Sequence, residues 1–464
     1  MSKDGIAESS FRDPSGFVFF KNGTLYRQVN QSYKTDFDRL IDSGFYQWLL
    51  DNGLIISHEI ADIVPYRPER AYKVIKPEPV PFISYPYEWC FSQLKDAALA
   101  TLLIQKKALE FNLSLKDSSS YNIQFFNGKP IFIDTLSFES YKEGAPWVAY
   151  QQFCKHFFAP LTLMSYADVR LNQLLRIHID GIPLDLAAKL LPFYTKFKFS
   201  TLTHVHLHAS AQRRYGNKAE KKIVPKMDRK AFLGLIDSLE TSIKKMSWSP
   251  GKTEWGNYYD ETNYSNSAFM HKKKIVSQCL DRVAPKTVWD LGANTGVFSR
   301  IASDRGIHTI AFDIDPAAVE KNYQECREKG ETHILPLILD LTNPSPGLGW
   351  HHTERMPLVE RSAHDTAIAL ALIHHLAISN NLPFDRIASV FRQLCEHLII
   401  EFVPKSDSQV THLLSTREDI FPTYDSKNFE TVFSRYFIIL DKIPVESSER
   451  TVYLMKKREI QKSG

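Results

Sequence analysis

In the C-terminal half of the chain, short apolar runs alternate with longer amphipathic stretches. Val288–Leu291, Thr309–Phe312, His333–Leu339, Thr366–Leu372 and Leu398–Val403 are the apolar runs. They show no strict polar alternation, the pattern of strands covered on both faces. The stretches between them have helical spacing, so strand and helix alternate, which predicts a parallel sheet. Phe437–Leu440 and Arg450–Met455 read as a closing antiparallel pair. The N-terminal half is patterned differently. Phe17–Phe20 and Thr24–Val29 flank Lys21-Asn22-Gly23, and Ile123–Phe126 and Ile131–Ile133 flank Asn127-Gly128. Asn-Gly between β-prone runs predicts hairpins. Phe37–Leu50 reads as one amphipathic helix and Leu94–Asn112 as another, with further helices over about 146–192.

This divides the chain into an α+β domain at 1–195, a helical and basic connector at 196–250, and an α/β domain at 251–464. A length of 464 residues exceeds a single small domain. The 57 basic and 53 acidic residues nearly cancel, so overall charge argues for neither a nucleic-acid nor a membrane partner. Cys90, Cys154, Cys279, Cys326 and Cys395 are scattered and form no CxxC pair. That fits a reducing compartment and no disulfide framework or zinc site. No apolar run is long enough to span a bilayer, and Met1–Gly5 lacks the apolar core of a signal peptide, so a cytoplasmic location is expected.

Two local features stand apart. Arg213–Lys230 holds eight basic and two acidic residues around Gly216 and Pro225, a solvated segment with the charge to dock an anionic acceptor. His204, His206 and His208 alternate with Val205 and Leu207. On a strand they share a face that could hold a metal, but no acid or cysteine completes a ligand set nearby, so exposed histidines on a half-buried strand are expected and no metal.

The chemistry concentrates at Asp290-Leu291-Gly292-Ala293-Asn294-Thr295-Gly296. An acid ends a buried strand, and glycines let the backbone approach a ligand before a helix begins near Val297. The nicotinamide fingerprint Gly-x-Gly-x-x-Gly fails here, because its three places hold Gly292, Asn294 and Val297. Two more apolar runs end in acids, at Asp313 and Asp340. This Asp-x-Gly-x-x-x-Gly run, with the acids that follow in order, resembles the class I S-adenosylmethionine-dependent methyltransferases over roughly 251–460. The resemblance implies a Rossmann-like seven-stranded sheet. It also implies S-adenosyl-L-methionine as cofactor, with Asp290, Gly292, Asn294 and Gly296 along its methionine and ribose side. Asp313 would bind the ribose hydroxyls and Asp340 the adenine amino group.

His374 and His375 follow the fourth strand, where such enzymes turn toward the acceptor, and a histidine there is a candidate general base. Glu401 at the end of the fifth strand is a second candidate acid or base. Glu254–Tyr259 with Asn263-Tyr264 is an aromatic entry segment of the kind that closes over a cofactor. Ala371–Leu376 and Ile400–Pro404 are also similar to a bacterial group that includes rhizobial nodulation-type methyltransferases. In that group an aromatic N-terminal half precedes the methyltransferase domain. The implied partner is a methyl acceptor whose class the sequence does not specify.

In the N-terminal half, Asp117, Asn122 and Asp134 resemble the catalytic loop and metal-binding strand of protein-kinase and aminoglycoside-kinase folds. There the first Asp is a base, the Asn five residues later binds metal, and the Asp after a hairpin binds metal again. The chain departs from that pattern: it has no Gly-rich nucleotide loop, no Val-Ala-Ile-Lys strand, and Thr135-Leu136 where Phe-Gly usually follows. Arg27 or Lys73 would have to replace the strand lysine. The alternatives are a phosphotransferase, a diverged module used for binding or scaffolding, and an ordinary loop in which Asp117 caps a turn and Asn122 starts a strand.

Overall fold

The computed structural model describes residues 4–207, 226–250, 266–361, 364–415 and 418–459. The chain forms two compact units, Met1–Ser249 with Pro346–Met356, and Pro250–Ser345 with Pro357–Gly464.

The first unit is built on five antiparallel strands, β1 (Gly5–Ile6), β2 (Gly16–Lys21), β3 (Thr24–Asn30), β4 (His58–Ile60) and β5 (Ala71–Pro77). Their order is β1-β2-β3-β5-β4. Asn22 and Gly23 make the β2–β3 turn with φ of 53° and 73°, as a two-residue hairpin requires. The helix expected over Phe37–Leu50 is two helices, Lys34–Asp42 and Phe45–Asp51. Gly44 breaks them apart with φ 79°, a conformation that ends a helix. A helix over Phe91–Glu110 follows, then β6 (Leu113–Leu115), the hairpin β7 (Ile123–Phe126) and β8 (Lys129–Phe132), and β9 (Phe138–Ser140), which pairs with β6.

Two expectations in this region change. The helix Arg229–Lys245 is capped by Asp228, which accepts from Ala231 N at 2.7 Å. It buries Phe232, Ile236, Leu239 and Ile243 and packs on Phe91–Glu110, so this part of 196–250 belongs to the first unit's core. His204 and His206 lie in a π-helical stretch, Leu202–Leu207, and both are buried, His204 against Tyr150 and His206 against Thr195. An apolar surround and hydroxyl partners hold them there instead of an exposed strand face. His208, most of Arg213–Lys230 and the entry segment Glu254–Tyr264 fall outside the described residues. Pro346–Met356 joins the first unit although it lies between strands of the second. Glu354 pairs with Arg12, Met356 N–H donates to the Tyr85 hydroxyl at 2.8 Å, and the Arg355 guanidinium sits 4.0 Å from the Tyr121 ring centroid.

The second unit holds β10 (Thr287–Leu291), β11 (His308–Asp313), β12 (Ile334–Ile338), β13 (His364–Ala369), β14 (Cys395–Phe402), β15 (Phe437–Pro444) and β16 (Thr451–Lys457). Their order is β12-β11-β10-β13-β14-β16-β15, parallel except where β16 runs antiparallel to both neighbours. This is the methyltransferase-type sheet that the resemblance implies. The helix Asn266–Val283 buries Ala268, Ile275, Val276, Cys279 and Leu280 against Val288, Ile368 and Ile399 of the sheet. The helix Pro316–Lys329 starts at an Asp315 cap with Pro316 at its first position and ends at Gly330, φ 66°. Strand order reverses between β10 and β13, which leaves a crevice at their carboxyl ends.

Candidate cofactor-binding site

The crevice is a cavity of about 450 Å³, inside the range of small-molecule sites. Asp290, Gly292, Ala293, Asn294, Phe312, Asp313, Leu339, Asp340, Leu372 and His375 are among the residues that line it. The turn after β10 folds back onto β11, with Gly292 N–H and Ala293 N–H both donating to Phe312 O at 2.9 Å. Gly292 has φ 81° and Asn294 φ 51°, left-handed conformations that glycine and asparagine tolerate best. The predicted loop residues are therefore present where the strand ends, and three of the four reach the cavity wall.

Gly296 is the fourth, and its role is different. Its φ is 80°, and a Cβ there would lie 2.6 Å from the Asn322 amide and 2.8 Å from Arg300. It lets the turn pack against the helix Pro316–Lys329 and is not among the residues lining the cavity.

Asp313 stands at the tip of β11, 8% exposed. Its carboxylate accepts from Asn294 N–H at 2.7 Å and Asp315 N–H at 2.9 Å, which joins the loop after β10 to the one after β11. Burial pushes its pKa up to about 6, and the backbone donors pull against that. Asp290 accepts from the Ser299 hydroxyl at 2.6 Å, and burial pushes it up to about 7. Asp340 follows β12, where it accepts from Thr342 N–H and Oγ1 at 2.8 and 2.6 Å. Each carboxylate oxygen has two acceptor directions, so these bonds leave capacity for a ligand's hydroxyl or amino donors.

The two histidines separate. His375 lines the cavity, and burial pulls its pKa down to about 4, so its imidazole is neutral near pH 7. His374 packs beneath it, ring centroids 4.1 Å apart, 2% exposed and away from the cavity lining. Glu401 is fully buried and also outside the lining. It accepts from Ala371 N–H at 2.7 Å, pairs with Lys272 at 2.7 Å and faces Arg450 at 3.9 Å. Burial alone would raise its carboxyl; the two cations hold it below the usual range. The structure thus gives Glu401 a bracing position under the β13 turn in place of the acid or base position expected from sequence.

Lys272 is a charged lining residue that sequence reasoning missed. It lies in His271-Lys272-Lys273-Lys274, which reads as a solvated run. The signal was helical phase: Lys272 falls on the buried stripe of Ala268, Ile275, Val276 and Cys279.

In the first unit, Asp117, Asn122 and Asp134 are each engaged. Asp117 accepts from Ser119 N–H at 2.9 Å and Gln152 Nε2 at 2.8 Å. Asn122 donates to Ser137 Oγ at 3.2 Å. Asp134 pairs with Arg27 at 2.5 Å and accepts from Ser137 Oγ at 2.7 Å. Burial raises the Asp117 carboxyl; burial pushes Asp134 up as well, but the Arg27 charge together with hydrogen bonds from Ser137, Leu136 N–H and Arg27 brings it below its usual value.

No protein-family model matches the chain. Solved structures that it resembles include magnesium protoporphyrin IX methyltransferase from Synechocystis PCC 6803 with bound SAH. That match has 16% identity and TM-score 0.31, over 44% of this chain and 93% of the other. The structure of WbdD matches at 13% identity and TM-score 0.30, over 44% of this chain and 43% of WbdD. The nodulation protein NoeA of Rhizobium meliloti (strain 1021) is 32% identical over 467 aligned residues, which cover 98% of this chain and 97% of NoeA. The chain therefore belongs to the family of the nodulation protein NoeA, and its second unit carries the class I methyltransferase fold.

Proposed function

We propose that the protein is an S-adenosylmethionine-dependent methyltransferase whose cofactor lies in the cavity of the second unit. One observation carries this reading: Asp290, Asp313 and Asp340 end three adjacent parallel strands and open into one 450 Å³ cavity at the point where strand order reverses. The donor set fits the group. Asp313 would take the ribose hydroxyls, Asp340 the adenine amino group, and the Gly292–Asn294 loop would lie along the ribose and the amino-acid end. When bound, the cofactor supplies an activated methyl and a thioether leaving group for in-line displacement. The chain's part is to position the acceptor, exclude water and, for a protonated acceptor atom, take its proton. His375 is neutral and faces the cavity, so it is the proton acceptor that the geometry offers. His374 orients it from below.

For the first unit, the sheet order β1-β2-β3-β5-β4, the β6–β9 and β7–β8 pairs, and the Asp117, Asn122, Asp134 spacing favour a diverged kinase-like module that selects the acceptor. Its polar side chains hold one another, which favours binding over phosphoryl transfer. Calorimetric titration tests both readings on the full chain. S-adenosylmethionine is expected to bind saturably. Binding of ATP with Mg²⁺, without S-adenosylmethionine binding, would move the chemistry to the first unit.

A further inference from the structure

The first unit carries an aromatic and basic stretch that its core does not use. Leu191, Thr195 and Thr201 are buried anchors. Between them Phe193, Phe197 and Phe199 are 69, 79 and 77% exposed, and Leu190 and Tyr194 beside them are exposed too. The backbone holds the rings out. Pro192 precedes a short tight helix, Phe193–Phe197, and the Thr195 hydroxyl donates to Pro192 O at 2.7 Å and meets His206 Nε2 at 3.2 Å. Phe193 and Phe197 meet edge to face with centroids 5.7 Å apart, and Lys196 Nζ lies 4.8 Å from the Phe193 centroid. Single exposed apolar side chains are ordinary, but a run of them rimmed by polar groups marks an interaction surface.

Charge and composition select the partner. Lys189, Lys196 and Lys198 are exposed in the same stretch, and the sequence has no acid from Leu186 to Ala219. Protein–protein interfaces are depleted in lysine, and their hot spots favour tryptophan, tyrosine and arginine. Lys189–Phe199 holds three lysines and three phenylalanines, with neither tryptophan nor arginine. Apolar rings that enter the acyl boundary, beside lysine stems that carry their ammonium to headgroup phosphates, are the composition of an interfacial segment. Among the described residues no helix is long and apolar enough to cross a membrane. The near-zero total charge of the chain speaks against a membrane partner only as an average, and this stretch departs from it. We propose that Lys189–Phe199 docks the first unit on the surface of an anionic lipid bilayer, without spanning it. The proposal is independent of what the second unit's cavity holds.

The test is co-flotation of the full-length protein with vesicles of phosphatidylcholine alone and of phosphatidylcholine with about 30% phosphatidylglycerol. The wild type is expected to bind the anionic vesicles at least about 10-fold more tightly than the neutral ones, and to be released as salt rises. Phe193→Gln/Phe197→Gln/Phe199→Gln is expected to lose more than about 100-fold of that affinity at an unchanged melting temperature, because the rings it removes face water. Lys196→Gln/Lys198→Gln keeps the rings and is expected to lose about 10–30-fold. This second variant carries the test if the first does not fold. Absence of wild-type binding to the anionic vesicles would overturn the proposal, as would equal binding to both vesicle types or binding that neither variant weakens. A wild-type dimer in sedimentation velocity that the triple variant turns into a monomer would give the patch to a second copy of the chain and overturn it as well.

Discussion

Each unit of the protein offers a triad of acids and amides that looks like a site in sequence, and the two triads are used in opposite ways. In the first unit, Asp134 is spent on Arg27 and Ser137, Asp117 on Gln152 and Ser119, and Asn122 on Ser137. In the second, Asp290, Asp313 and Asp340 hold short local bonds and still face a cavity. The carboxylates of the cavity sit where strand ends and helix starts already satisfy the backbone, so their remaining lone pairs point toward a ligand. Residue type and spacing alone do not separate these cases; opening into a shared cavity does.

The contrast can be broken at either end, beginning with the largest effect. Replacing Asp313 with Ala removes the proposed ribose acceptors. With hydrogen bonds to charged groups worth about 1.5–3 kcal/mol each, S-adenosylhomocysteine affinity is expected to fall by more than about 100-fold in calorimetry. Arg27→Ala acts on the other triad. It strands a mostly buried Asp134, and the first unit is expected to lose about 3 kcal/mol in denaturant unfolding, most of it restored by adding Asp134→Asn. Cofactor affinity in the second unit is expected to stay unchanged. If Arg27→Ala instead unmasks Mg²⁺-dependent ATP binding, the pair is a lock on a competent site.

Gly296→Ala tests the packing role of that glycine. A Cβ at φ 80° and 2.6 Å from Asn322 is expected to cost about 1–3 kcal/mol of stability, read as a lower melting temperature. The smallest effect is with pH. Asp313 has a folded-state pKa raised to about 6. Only its ionised form accepts both hydroxyls, so cofactor affinity rises as pH climbs through that value. Binding at pH 5 is expected to be about 10-fold weaker than at pH 7.5. The stability linkage runs the other way. A raised carboxyl pKa means the folded state binds more protons than the unfolded one between about pH 4 and 7, so this group's contribution falls as pH rises. A flat affinity profile across pH 5–7.5 would remove Asp313 from direct contact with the ligand.

Much of the second unit was legible because burial on both faces writes itself into continuous apolar runs such as Val288–Leu291 and Leu398–Val403, and because strand-end acids recur in order. In the antiparallel closing pair only β16 shows such a run buried throughout, Val452–Met455. Lys272 was not, because three consecutive lysines mask the one that lies on the apolar stripe. Glu401 was visible only as a strand-end acid. Its partners lie 129 and 49 residues away in the chain, and pairing at that separation leaves no local pattern. In the first unit, Gly44 was a visible breaker inside Phe37–Leu50 that the amphipathic spacing outweighed. Nothing in the composition of Pro346–Met356 signals that a segment between β12 and β13 joins the first unit.

The most direct test of the central claim is a crystal structure of the full chain with S-adenosylhomocysteine. The account predicts density for one molecule in the cavity, with ribose hydroxyls within hydrogen-bonding distance of Asp313 and the adenine beside Asp340. Density confined to the first unit, or a cavity that stays empty at saturating ligand, would contradict it.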